Sequence, residues 1–274
     1  MARFSFAILD TPAILGVLNV TPDSFSDAGR FSTPAAATSH ARRMARAGAA
    51  IIDVGGESTR PGARPVEERE ELRRVLPVIK RIGGLRPISI DTTKAGVAEQ
   101  ALRAGAQIVN DVSAGTDDPR MLALVAERRA AIILMHRKGS PQTMHRLARY
   151  RDVVEEVKGF LSTRIDAALR AGILRDAIAV DPGIGFAKNL THNLALLGRI
   201  DEIAALGLPV VIGVSRKSFL GHLLDKPAAE RVEGTIAASL LAVAGGAKIV
   251  RVHDVGPMAR ALRVAGAIWR ARRR

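Results

Sequence analysis

Polar and charged residues recur at one kind of place in this sequence, the C-terminal ends of short apolar runs. Asn19 closes ILGVLNV (14 to 20), Asp53 lies in AIIDVG (50 to 55) with Glu57 beyond it, Asp91 ends PISIDT (87 to 92), and Asn110 and Asp111 end QIVNDVS (107 to 113). His136 ends AAIILMH (130 to 136), Asp181 ends AIAVDP (177 to 182), Ser215 ends PVVIGVS (209 to 215) with Arg216 and Lys217 next, and Arg251, His253 and Asp254 fall in KIVRVHD (248 to 254). A carboxylate or amide after a strand often only caps the next helix, and Asp53 or Asp91 with Thr92 can be read that way. Eight runs behaving alike call for more, because burying many ionisable groups together is costly unless they serve one another or a ligand. Arg251 and His253 alternate along one strand, so both point the same way, and both can address a phosphate. His253 can also be read as a satisfied interior histidine.

The segments between these runs suit ligand contact. NVTPDSFSDAGRF at 19 to 31 sets Phe25 among Gly, Ser and Asp, as a lid would. GGESTRPGARP at 55 to 65 joins a Gly-Gly pair to Thr59, Arg60 and Pro61. DPGIGFAKN at 181 to 189 offers close backbone approach, Phe186 for stacking and Lys188 for an anion. In SRKSFLG (215 to 221), Ser215, Lys217 and Ser218 fall at a strand-to-helix junction, where free N–H groups favour negative charge.

The elements that must position these residues are strands alternating with helical, Ala-, Arg-, Glu- and Leu-rich segments such as 67 to 82 and 152 to 171. That alternation predicts parallel strands with right-handed crossovers, and eight units predict an α/β fold of the (β/α)8 TIM-barrel type, a single domain over 1–274. In such a barrel all strand C-termini converge on one mouth, so the polar ends become neighbours around one cavity. FSFAILD predicts a small additional strand, a hairpin across the opposite mouth. The core must come from Ala, Val, Ile and Leu, since 47% of residues are hydrophobic and only 3% aromatic.

The chain has no cysteine, which excludes a disulfide framework, thiolate metal sites and a cysteine nucleophile. No signal peptide or membrane span is read, and a cytoplasmic setting is expected. The formal net charge of +14 raises nucleic acid as a partner, but arginines are scattered along predicted helices rather than clustered with aromatics. The basic tail at 270–274 reads as a solvated helix end, so no specific nucleic acid partner is expected, and the positive field favours an anionic small substrate.

In order along the chain, NVTPDSFSD, DVGGESTRPGA, SIDTTK, IVNDVSAG, LMH, DPGIGFAKN, GVSRKSFLG and VRVHD resemble the motif series of bacterial dihydropteroate synthases, spanning about 14 to 255. The resemblance implies a pterin-binding barrel that joins 6-hydroxymethyl-7,8-dihydropterin diphosphate to 4-aminobenzoate, with Mg2+, as a homodimer. It places Asn19 on the metal ion; Asp91, Asn110 and Asp181 on the donor-rich pterin edge; and Lys217 on the pterin carbonyl and ring nitrogen. Met135 and Arg251 would pack on the ring, and Thr59, Arg251 and His253 would hold the diphosphate. The aminobenzoate pocket would use Phe25, Arg60, Pro61, Phe186, Ser215 and Ser218 as the first two loops close. Asp91, Asp181, Lys217, Arg251 and His253 are the catalytic set so implied. GIGFAKN lacks the insertion of sulfonamide-resistant relatives, so sulfonamides are expected to compete with 4-aminobenzoate. Rival readings are a corrinoid methyltransferase barrel, which needs no diphosphate site, and a non-catalytic pterin-binding paralogue.

Overall fold

The computed structural model describes residues 4–9, 12–21, 33–60 and 62–271. Eight strands form its frame: β1 (Ala13–Asn19), β2 (Ile51–Gly55), β3 (Ile88–Asp91), β4 (Ile108–Asp111), β5 (Ala131–Met135), β6 (Ile178–Asp181), β7 (Val211–Ile212) and β8 (Ile249–Val252). Every pairing is parallel, in the order β6-β5-β4-β3-β2-β1-β8-β7, and a parallel bridge between Val180 and Val210 joins the two ends into a closed barrel. The seventh strand is much shorter than its apolar run, 209 to 215: Val210 makes only an isolated bridge to Val180, and a turn follows at Ser215 and Arg216.

Helices clothe the outside: α1 (Pro34–Ala47), α2 (Glu68–Ile82), α3 (Ala95–Arg103), α4 (Met121–Glu127), α5 (Val153–Arg170), α6 (Leu190–Gly198), α7 (Ile200–Ala204), α8 (Ser218–Leu224), α9 (Val232–Ala244) and α10 (Val255–Ala271). Strand residues are therefore buried on both faces, which is why the runs read as continuous apolar stretches. Gly16 marks the outer face of β1, where an added Cβ would lie 3.0 Å from the Met44 sulfur on α1. Its neighbours Val17 and Asn19 accordingly face the interior.

Register carries that inward face around the barrel, because partners in a parallel pair project to the same side. Val17 aligns with Asp53 and Asp53 with Ser89; Asp91 aligns with Asn110, Met135 with Asp181, and Leu15 with Arg251. The polar residues at the strand ends thus share one interior, above a floor of Val, Ile, Leu and Ala.

At the opposite mouth the opening segment is not a strand. Phe6–Ile8 is a single 3-10 turn capped by Ser5, whose Oγ accepts from the Ala7 amide at 3.2 Å. Phe4 and Phe6 are both buried and meet edge to face at 5.3 Å. The closed sheet offers no edge for another strand to join, so the two rings anchor the segment instead.

Candidate active site

A cavity of about 460 Å³ opens at the C-terminal mouth, and Asn19, Thr59, Arg60, Asp91, Phe186, Ser215, Lys217, Ser218, Arg251 and His253 all line it. Asn110, Met135 and Asp181 are buried inside the barrel beside it, Asn110 level with Asp91 and Met135 level with Asp181 in the strand register. Two inward glycines keep that interior open: a Cβ at Gly213 would sit 3.8 Å from Asp181 Oδ2, and one at Gly55 3.4 Å from Asn19 Oδ1. Phe25 and Pro61 fall outside the described residues.

Arg251 organises the floor. Its Nε donates to Asp53 Oδ2 at 2.7 Å and its terminal nitrogen to Asp91 Oδ2 at 2.6 Å, while Asn110 Nδ2 donates to the same Asp53 oxygen at 3.1 Å. Burial pushes the Asp91 carboxyl up to about 7, against the pull of the Arg251 guanidinium and with the push of Asp53. Burial works against the Arg251 charge as well, but Asp53 and Asp91 more than offset it and hold the guanidinium firmly protonated. Asp181 is likewise raised by burial, opposed by Lys217 and by the Gly183 amide, which donates to its Oδ1 at 2.7 Å.

Burial lowers the Lys217 ammonium to about 8, with Asp181 acting against that fall. The side chain donates to the Ile184 carbonyl and lies 4.4 Å above the Phe186 ring. That approach needs a glycine at 185: its φ is +82°, and a Cβ would come within 3.0 Å of Lys217 Cδ. The SRKS turn is held from outside the barrel. Arg216 takes the left-handed conformation, φ 59°, and its guanidinium pairs with Asp254 at 2.6 Å. Arg231 donates to the Arg216 and Lys217 carbonyls at 3.1 and 3.2 Å, fixing the start of α8 beside the cavity.

His253 is neutral, its pKa depressed to about 3 by burial and then by Arg251, Arg216 and Arg60. Its backbone amide donates to Ser215 Oγ at 3.2 Å, and Ser215 Oγ lies 2.9 Å from its Nδ1. With the Ser215 hydroxyl assigned as the donor to Nδ1, the imidazole carries its proton on Nε2 and offers an uncharged N–H to the cavity. The Ser215 side chain thereby has a role that the sequence did not suggest.

The second loop enters the cavity from a braced root. Gly56 is packed tightly rather than free to move, since a Cβ would meet Val75 at 2.8 Å and Glu71 at 2.9 Å; Arg74 donates to its carbonyl at 2.9 Å. Glu57 pairs with Lys94, which also reaches Glu71 at 2.6 Å. Farther on, the Gly62 amide donates to the Pro141 carbonyl at 2.9 Å, docking this loop on the one after β5. Lys188 is not an anion ligand: it is buried beneath the loop, donates to the Phe186 carbonyl at 2.9 Å and lies 2.9 Å from His136 Nδ1. Burial drives its pKa far down, and its contacts turn it toward Phe186 and His136 rather than toward the cavity.

Interior carboxylates and an amide beneath a rim of cations suit a flat, donor-rich ring carrying an anionic tail. Comparison with known proteins agrees. The profile of the pterin binding enzyme family matches residues 15–253. The dihydropteroate synthase of Synechocystis is 51% identical over 94% of this chain and 90% of its own length. The chain belongs to the dihydropteroate synthase family. Among solved structures, the Yersinia pestis dihydropteroate synthase with a sulfonamide drug superposes with a TM-score of 0.93 at 40% identity, covering 98% of this chain and 99% of that one. The Xanthomonas albilineans dihydropteroate synthase in complex with 7,8-dihydropteroate gives 0.84 at 40% identity, covering 95% and 94%.

For a dihydropteroate synthase family member, every described residue of the predicted site stands at the cavity or beside it in the barrel interior. Sequence reasoning passed over Met144, Ala228 and Ala229, which also line the cavity but carry no polar signal and follow no strand.

Proposed function

We propose that this chain condenses 6-hydroxymethyl-7,8-dihydropterin diphosphate with 4-aminobenzoate, releasing diphosphate and 7,8-dihydropteroate, and that it does so with Mg2+, as a homodimer, in the cytoplasm. The observation that carries this reading is one cavity lined by Thr59, Asp91, Lys217, Arg251 and His253, with Asn110 and Asp181 beside it in the barrel interior, in a chain of this family. A methyltransferase barrel would have no use for the cations and the helix start at the rim.

Asp91, Asn110 and Asp181 accept from the N–H groups of the pterin, and Lys217 donates to its carbonyl and ring nitrogen. To admit the ring, Arg251 releases Asp91 and Lys217 leaves the Ile184 carbonyl, so the ligand replaces internal contacts of similar kind. The bond between the pterin methylene carbon and the diphosphate oxygen breaks with its electron pair going to the diphosphate. Arg251, His253 and Thr59 stabilise that charge, while Asp91 and Asp181 stabilise the cationic ring. The arylamine nitrogen then bonds to the methylene carbon and gives its proton to water. An arylamine is neutral near pH 7, so no strong general base is needed.

Among the described residues, no group of three or more His, Asp or Glu side chains could hold a metal ion. The donor set fits an ion that takes most of its ligands from water and phosphate oxygens, with Asn19 at the cavity as its protein ligand. Mg2+ bound there would neutralise charge on the diphosphate.

The homodimer reading is supported by exposed apolar side chains on two adjoining helices, Leu241 on α9 and Val264 and Ile268 on α10. The cytoplasmic reading is supported by the lack of cysteine and by the finding that no described helix is long and apolar enough to cross a membrane. Arg60, Phe186 and Ser218 supply the aminobenzoate subsite, which also accepts sulfonamides, as the Yersinia pestis relative does.

The test is diphosphate release from the pterin diphosphate with Mg2+, with and without 4-aminobenzoate, in wild type and Lys217→Ala. Release that depends on the aminobenzoate and is lost in the variant is expected. Absence of release from folded, pterin-binding protein would favour the non-catalytic reading. Product formation unchanged by high sulfonamide at low 4-aminobenzoate would sink the inhibitor assignment.

A further inference from the structure

Asp53 is fully buried and does not line the cavity, yet its Oδ2 takes hydrogen bonds from two residues of the proposed pterin site, Asn110 at 3.1 Å and Arg251 at 2.7 Å. It caps no helix, since the next one begins at Glu68. Nor is stability a sufficient reason to keep a carboxylate there, because apolar replacements of buried ion pairs are often neutral or stabilising.

Its effect on Asn110 is specific. An asparagine amide has two unlike ends, an NH2 that donates and an oxygen that accepts. A carboxylate paired with a guanidinium can only accept, so the NH2 of Asn110 must face Asp53. The amide oxygen is then the end turned away from Asp53. A flipped amide would set two acceptor oxygens against each other inside the barrel and leave a buried charge short of a donor.

We propose that Asp53 is a positioning residue that locks the Asn110 amide with its oxygen toward the pterin, making the site select a 2-amino over a 2-oxo pteridine. The proposal rests on the functional reading above, in which Asn110 meets the N–H-rich edge of the ring. Asp53 also steadies Arg251, but that contribution is common to both ring systems. The ratio of their affinities therefore isolates the amide.

The experiment measures binding of a 2-amino-4-oxopteridine and its 2,4-dioxo counterpart to wild type, Asp53→Asn and Asp53→Ala. Wild type should favour the 2-amino ring. Asp53→Asn, whose amide oxygen can replace Oδ2 as acceptor, should keep the ratio within about twofold, while Asp53→Ala should lower it about tenfold or more. An equal loss of affinity for both rings in Asp53→Ala would leave only a supporting role for Asp53 and overturn the proposal while the functional reading stands. Wild type that binds neither ring, or binds both alike, would overturn the functional reading and the proposal with it.

Should Asp53→Ala fail to fold, Asp53→Leu decides, since it fills a similar forked volume without offering an acceptor. It should lower the ratio about tenfold or more, and a ratio kept within about twofold of wild type would overturn the proposal.

Discussion

Asp91 and Lys217 face one cavity with pKa values displaced toward each other, the first raised by burial to about 7 and the second lowered by burial to about 8. Each is needed in its charged form, the carboxylate to accept from the pterin and the ammonium to donate to it. Below about 7 Asp91 takes up a proton, and above about 8 Lys217 loses one. The expected profile of kcat/KM for the pterin diphosphate is therefore a narrow bell that falls about tenfold per pH unit outside that window. Asp91→Asn should flatten the acid limb, and Lys217→Arg should carry the alkaline limb beyond the measured range, since a guanidinium does not titrate there. An acid limb that persists in Asp91→Asn would assign it to another group. Arg251→Lys tests the forked contact to Asp53 and Asp91. An ammonium lacks the planar fork whose separate nitrogens reach Asp53 and Asp91, and it cannot lie flat along the ring while covering a diphosphate, so kcat/KM should fall about a hundredfold while the fold persists.

At the scale of elements, the strand ends were legible because a carboxylate, amide or cation closing an apolar run contradicts the run it closes. Asp91, Asn110, Asp181, Lys217, Arg251 and His253 all stood out for that reason. What local spacing could not express was pairing across the barrel: Arg251 meets Asp53, 198 residues away in sequence, and neither position announces the other. Lys188 misled for a related reason, because a lysine in a Gly-rich loop reads as an anion ligand unless its burial is known. Two predictions belong to the loops. At Gly183 φ is +69° and an added Cβ would lie 1.9 Å from the His136 carbonyl oxygen. Gly183→Ala should cost roughly 3 kcal/mol or more, read as a lower urea midpoint, and should displace the Phe186 loop. Lys94 holds Glu57, two residues before Thr59 in the second loop. Lys94→Met should raise KM for 4-aminobenzoate several-fold, and affinity for the pterin ring alone should stay near wild type, because the ring's ligands at the strand ends do not depend on that loop. Equal losses for both substrates would mean that Lys94 supports the barrel rather than the loop.

For the whole molecule, the barrel could be read because each strand is buried on both faces and so appears as an uninterrupted apolar run, eight times over. The opening segment was misread as a strand since Phe4 and Phe6 alternate as strand residues do, while nothing in a local pattern reveals that the sheet has no free edge. Surface partners are the least legible, because exposed apolar residues on a helix resemble ordinary amphipathic variation. In the fold α9 and α10 pack side by side, with Leu241 71%, Val264 63% and Ile268 52% exposed. Side chains of this size lose favourable burial energy when left in water, about 25 cal/mol per Å² of apolar area, and in the proposed homodimer a second copy of the same face would cover them symmetrically. Placing charges at the centre of such an interface leaves them unpaired on association. Leu241→Glu combined with Ile268→Glu should therefore shift the protein from dimer to monomer in light scattering after size exclusion. Its far-ultraviolet circular dichroism should be unchanged, because neither side chain contributes to the core. The barrel holds the described site within one chain, so the monomer should still bind the pterin ring. A double variant that remains a dimer would move the interface away from these helices.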